Sequence, residues 1–234
     1  KPADPRYPES EYRSDPRRRL PLCKAYILSP VLAGFCQEYP GIKLEITEES
    51  SDVLSDLLMQ RKIDLTFSCN PDIMKNFERY SMFRDHILLA VPQNHPVNQT
   101  AAYAALTAQD IIDGRHLDPT CPSAPLSLFR DLEFILLTPG NNLHDRAIQI
   151  FQEAGFKPNI KLRLSQLATA YHLAADGFGA TLVSDRMIHT PNVPLRFYQL
   201  NSQLADRMFY VLLPNRNYTS FAVKRFIQYL LLHL

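Results

Sequence analysis

No excess of basic charge marks this 234-residue chain: its formal net charge is +1. A nucleic-acid-binding domain usually carries a clear positive surplus. The chain is therefore not expected to bind DNA by itself. Its one basic run, Arg17–Arg19, is followed at once by apolar sequence and reads as a solvated linker. No apolar run approaches the roughly 20 residues of a membrane span, and "YLLLHL" (Tyr229–Leu234) is far too short. The charged, proline-rich start shows no secretory signal. Cysteine is sparse: Cys23, Cys36, Cys69 and Cys121 form no C-x-x-C pair, which sets aside zinc-ribbon and thioredoxin-type readings. Reduced thiols and a cytoplasmic setting are expected, with Cys36 buried in the apolar stretch "VLAGFCQEY".

Glycine is scarce too, at seven residues, and no G-K-[ST] occurs. Two of the seven stand close together in "AADGFGATLVSD" (Ala174–Asp185). A phosphate-cradling loop needs a strand before its glycines and a helix after. Here the order is reversed. Gly177 is expected to stop a helix in the left-handed conformation, and Gly179 to let the chain turn into a buried strand.

What is present is alternation of helix-like and strand-like segments. Lys1–Arg19 holds four prolines and almost no aliphatic residue, and reads as a disordered or extended lead-in. Leu28, Val31, Leu32 and Phe35 then recur at helical spacing, with Ser29 as the expected cap and Pro30 at the first position. Ile42, Leu44 and Ile46 alternate as in a strand. "SSDVLSDLLMQRK" reads as a helix capped by Ser50 or Ser51. "IDLTFS" reads as a short buried strand, and Ile87–Val91 as another strand closed by Pro92 and Pro96. After Pro96 come a short helix, a long loop at 115–128, a strand at Phe134–Leu137, a helix from Asn141, a strand "NIKLRLS", a helix "QLATAYHLAADG" and the strand "ATLVS". A strand within "LADRMFYVLLP" and a helix "SFAVKRFIQYLLLHL" close the chain. This pattern predicts an α/β fold with largely parallel sheets. Its boundaries are a lead-in at 1–19, a first lobe at 20–92 plus 210–234, and a second lobe at 93–209.

The chemistry-bearing residues give no catalytic set. The histidines, among them His86, His95, His144 and His172, form no H-x-x-x-H or H-E-x-x-H, so no metal site is expected. No G-x-S-x-G elbow is present, and the serine beside an aspartate in "LVSD" is adjacency rather than triad geometry. The polar residues of interest end strands or start helices: Ser50, Ser51, Ser68, Asn70, Thr138, Asn141, Ser165 and Gln166. In open α/β sheets, ligands sit outside the carboxyl ends of strands, where free N–H groups suit a small polar or anionic molecule. Plain helix capping explains some of these residues equally well.

Several stretches, in order, resemble one family. "FCQEYPGIKLEI" and "RKIDLTF" are similar to the opening of the effector-binding domain of LysR-type transcriptional regulators. "VPQNHP" matches that family's V-P-x-x-H-P crossover segment. "FILLTPGNNLHDRAIQIFQEAGFKP" resembles its second-lobe opening, and "GFGATLVS" its G-x-G segment. The resemblance covers about Ala25 to Leu230. It implies two Rossmann-like lobes of type 2 periplasmic-binding-protein architecture, joined by two crossover strands, with a small effector in the cleft. For those eight as a group the resemblance favours a ligand cleft; with Val183 they are the expected ligand-binding residues. It implies no catalysis and no cofactor, a homodimer or higher homo-oligomer, and DNA contact only through a helix-turn-helix that Lys1–Arg19 does not supply. The helices carrying Leu28, Val31, Leu32 and Phe35, and Leu143, Ala147 and Ile150, are the expected dimer faces. The rival reading is a periplasmic-type solute-binding protein of a transporter.

Overall fold

The computed structural model describes residues 19–21, 25–47, 49–215 and 219–234. Of the lead-in expected at 1–19, residues 1–18 lie outside them, as does Cys23, while Arg19 begins the first strand. In chain order the elements are β1 (Arg19–Pro21), α1 (Ala25–Glu38), β2 (Glu45–Thr47), α2 (Ser51–Met59), β3 (Thr66–Ser68), α3 (Pro71–Met74) and β4 (Phe77–Pro92). There follow α4 (Val97–Thr100), α5 (Ala108–Ile112), β5 (Glu133–Leu137), α6 (Asn142–Glu153), β6 (Asn159–Leu164) and α7 (Leu167–Ala175). The last are β7 (Ala180–Ser184), β8 (Leu195–Gln199), β9 (Asp206–Pro214) and α8 (Phe221–His233). The chain divides into two compact units. One holds the residues up to Phe83 with Met208–Leu234; the other is Arg84–Arg207. The chain passes from the first to the second along β4 and returns along β9.

In the first unit, β1 pairs with β2 in parallel and β3 with β9 antiparallel. Its core gathers Leu28, Val31 and Phe35 of α1 with Val223, Phe226, Ile227 and Leu230 of α8. Phe35 meets the Phe226 ring edge-on at 5.1 Å. That burial, about 1.5–3 kcal/mol per large side chain, outweighs the local capping signal at Ser29. The helix starts at Ala25 instead and carries Pro30 inside, forgoing one backbone bond. Cys36 falls on the outer face of α1 and is exposed, not buried. Of the residues expected on the dimer faces, Leu28, Val31, Phe35, Leu143, Ala147 and Ile150 are buried in the chain's own cores, and Leu32 is half-buried.

In the second unit the strand order is β6, β5, β7, β4, β8. β5 runs parallel to β6 and β7, while β4 is antiparallel to β7 and β8. The sheet is mixed rather than largely parallel. β4 explains why Ile87–Val91 is apolar without interruption. Successive side chains point to opposite faces; Ile87, Leu89 and Val91 enter one core, and Leu88 and Ala90 enter another. The strand extends ten residues before Ile87, to Phe77, through a mixed polar segment with no clean alternation. The segment 115–128 is anchored rather than loose: His116, Ala124 and Leu126 are buried along it. Gly177 ends α7 at φ +85. Its N–H donates to Ala174 O, and that of Phe178 to Leu173 O at 2.9 Å, a Schellman cap. Gly179 serves close approach instead: a Cβ there would stand 2.8 Å from the Glu133 carbonyl oxygen on β5.

Candidate functional site

The sequence-predicted residues divide between the units. In the first, Ser50 caps α2, its side chain accepting from Val53 N at 3.4 Å, and half-buried Ser51 is the first helical residue. Ser68, buried at the end of β3, accepts from Asn70 N at 3.0 Å. Asn70 caps α3 by accepting from Asp72 N at 3.0 Å. These side chains hold their own turns.

In the second unit the structure brings four residues to one edge. Leu137 and Leu164 are register partners at the carboxyl ends of parallel β5 and β6. Thr138 and Ser165 therefore follow side by side, and Thr138 N donates to Leu164 O at 2.9 Å. Asn141 caps α6, accepting from Leu143 N at 2.9 Å. Gln166 occupies the cap position of α7 but makes no side-chain cap bond. The first-turn N–H groups of α7 thus lack a side-chain acceptor at their own cap. Thr138, Ser165 and Gln166 are exposed. This edge offers two hydroxyls, an uncommitted amide and a positive helix end, suited to a small polar or anionic molecule. Val183 lies elsewhere, fully buried in β7 against Leu88 and Phe197.

β7 is parallel to β5, so its end lies on the same edge of the sheet. Ser184 and Asp185 there join two groups that sequence reading missed. Ser184 Oγ donates to Asp85 Oδ1 at 2.8 Å, and Arg207 Nη2 to Asp85 Oδ2 at 2.5 Å. Asp185 Oδ2 lies 3.0 Å from His86 Nδ1 and 3.1 Å from His116 Nε2. Its other oxygen accepts from the backbone N–H groups of His86 and Arg186. Burial opposes the charge on Asp185, but the bonds from both imidazoles and from the His86 backbone hold its carboxyl far below the usual range. His86 is raised by its bond to Asp185, against the opposing effect of burial. The hydroxyl of Ser184 is committed to Asp85 and meets neither ring, so this set is not a nucleophile–base relay. Histidines and an aspartate separated by 69 and 99 positions leave no local spacing to read.

Comparison with known proteins places this fold. The LysR substrate binding domain profile matches residues 20–234. The uncharacterized HTH-type transcriptional regulator YcgK of Bacillus subtilis (strain 168) is 24% identical over 207 residues, covering 87% of this chain and 61% of that protein. A probable hydrogen peroxide-inducible genes activator of Mycobacterium avium is 26% identical over 165 residues, 70% of this chain and 46% of that one. The chain thus spans about half to three fifths of these relatives' length; both are named for gene regulation, not for an enzyme activity or for transport. Among solved structures, the Synechocystis PCC6803 CcmR regulatory domain in complex with 2-PG superposes with TM-score 0.75 at 16% identity, over 92% of this chain and 96% of that one. The BenM effector binding domain with its effector benzoate gives 0.68 at 18%, over 91% and 89%. The fold is that of type 2 periplasmic-binding-like domains, and among the described residues no helix is long and apolar enough to cross a membrane. The chain belongs to the LysR substrate-binding domain family.

Proposed function

We propose that the chain is the effector-sensing part of a LysR-type transcriptional regulator, binding a small anionic or polar molecule without chemistry upon it. The observation that carries this reading is the carboxyl edge of β5 and β6. There exposed Thr138 and Ser165 stand side by side, and the start of α7 has no side-chain cap. Helix starts of this kind stabilise anions through free N–H donors and the helix dipole. Two structural relatives are described with carboxylate ligands, benzoate and shikimate, which fits the same chemistry. Asn141 completes the candidate set of this edge; Ser50, Ser51, Ser68 and Asn70 are candidates within the first unit, through hydroxyls or backbone N–H groups. The regulator works in the cytoplasm as a homodimer or higher homo-oligomer. It reaches DNA through a helix-turn-helix and uses the bound molecule to set that contact.

The test is a thermal-shift screen of the purified chain against small carboxylates and phosphate esters, followed by titration calorimetry of any hit. Saturable one-to-one binding that Ser165→Ala and Thr138→Val both weaken is the expected result. A hit that binds Ser165→Ala, Thr138→Val and Ser68→Ala as tightly as the parent would place the effector elsewhere.

A further inference from the structure

We propose that His86, His116 and Asp185 form a binding site for a divalent transition-metal ion of the zinc class. The three come from separate elements of the second unit: β4, the 115–128 segment and the end of β7. Both imidazoles aim a nitrogen at the same carboxylate oxygen, at 3.0 and 3.1 Å, and the three ligand atoms lie within 4.8 Å of one another. An ion centred among them sits within a few tenths of an ångström of zinc–nitrogen and zinc–oxygen bond lengths, about 2.0–2.2 Å. Two neutral imidazoles and one carboxylate are a ligand set that zinc, nickel, copper and ferrous iron all accept.

Its outer support separates this arrangement from an ordinary hydrogen-bonded cluster. Asp185 Oδ1 is fixed by two backbone N–H groups, which leaves Oδ2 turned toward the rings. On its far side, His86 Nε2 faces Asp206 Oδ1 at 3.5 Å. A carboxylate behind a ligating imidazole orients the ring and raises its basicity. His116 is almost fully buried and presents Nε2 to this site. Entry is open from one side, because His86 remains a quarter exposed, and water from that side completes the coordination. None of these residues belongs to the effector set, so the metal site stands or falls separately from it. A bound ion would tie together three segments beside Asp85 and Arg207, where the chain enters and leaves this unit.

The experiment uses the whole chain, stripped with chelator and titrated with Zn²⁺ in competition with a chromophoric chelator. Co²⁺ serves as a spectroscopic probe of coordination. The expected result is one ion per chain, with visible Co²⁺ d–d absorption. His86→Gln, at a partly exposed position, should weaken Zn²⁺ by more than about 100-fold, and Asp206→Asn by about tenfold, as outer-shell losses do. His116→Gln guards against an effect of one ring alone. Circular dichroism of each variant establishes that it is folded. Absence of a saturable one-to-one Zn²⁺ site in the parent overturns the proposal. So does equal Zn²⁺ affinity in parent, His86→Gln and His116→Gln, which would assign the ion to surface histidines.

Discussion

Arg207 and Asp85 form an ion pair sealed from solvent, their side chains 4% and 0% exposed. Arg207 closes the second unit on β9, and Asp85 opens it on β4. Removing one partner of a buried pair leaves an uncompensated charge, which costs about 3–5 kcal/mol. Asp85→Ala is expected to lower stability by that amount in denaturant unfolding. Asp85→Leu combined with Arg207→Met should recover much of the loss, because the stranded charge is then gone. A double variant no more stable than Asp85→Ala would mean that the pair's geometry, not its charge balance, is what matters.

The two glycines that look like a nucleotide loop should answer differently to the same substitution. Gly177→Ala forces a Cβ into a left-handed conformation and should cost about 1 kcal/mol or slightly more. Gly179→Ala drives a Cβ toward a backbone oxygen at 2.8 Å, which cannot swing aside. It should cost about 1–3 kcal/mol as overpacking. Thermal midpoints of the two variants check the ranking.

Thr107 and Asp110 cap α5 reciprocally: Asp110 N donates to Thr107 Oγ1 at 3.1 Å, and Thr107 N to Asp110 Oδ2 at 2.8 Å. Burial alone would raise the Asp110 carboxyl, but the Thr107 donors and Arg115 hold it below its ordinary 3.8. A carboxylate lowered in the folded state stabilises it above the unfolded pKa, and that contribution is lost as pH falls through the folded pKa. Asp110→Ala should therefore cost about 1 kcal/mol at neutral pH, as the Thr107 donors lose their acceptor. It should also flatten part of the decline in thermal midpoint on acidification. A variant with the parent's acid profile would refute the assignment.

Ser165 stands one residue before the cap of α7, so it carries no helix bond that the fold needs. Ser165→Ala should leave the thermal midpoint unchanged. A lost neutral hydrogen bond to the effector costs about 0.5–1.5 kcal/mol, so affinity should fall a few-fold to about tenfold. Calorimetry with the identified ligand, beside unfolding of the free variant, separates the two.

The parts legible in sequence were those whose signal is local. The unbroken apolar run at Ile87–Val91 announces a strand, and Ser50 or Ser51 and Asn141 announce helix starts. The order of short motifs announced the family. Illegible were features decided by distant packing. Pro30 and Ser29 argued for a late helix start, and contact with α8 overruled them. The helical spacing of Leu28, Val31 and Phe35 was correct, but spacing cannot say whether a face meets its own chain or another. Cys36, one position past Phe35, turns outward for the same reason. His116 lies in a segment whose sequence reads only as loop, and its partner Asp185 comes from the end of a strand 69 positions away.

The burial of Ile87–Val91 on both faces has a cost outside the native state. In an unfolded or nascent chain, these five residues are an uncharged, β-prone window of the kind that stacks into intermolecular cross-β ribbons. The sequence brackets that window with Arg84 and Asp85 before it and Pro92 after, residues that interrupt such stacking. Asp85 thus guards the chain against aggregation before it folds and pairs with Arg207 once it has.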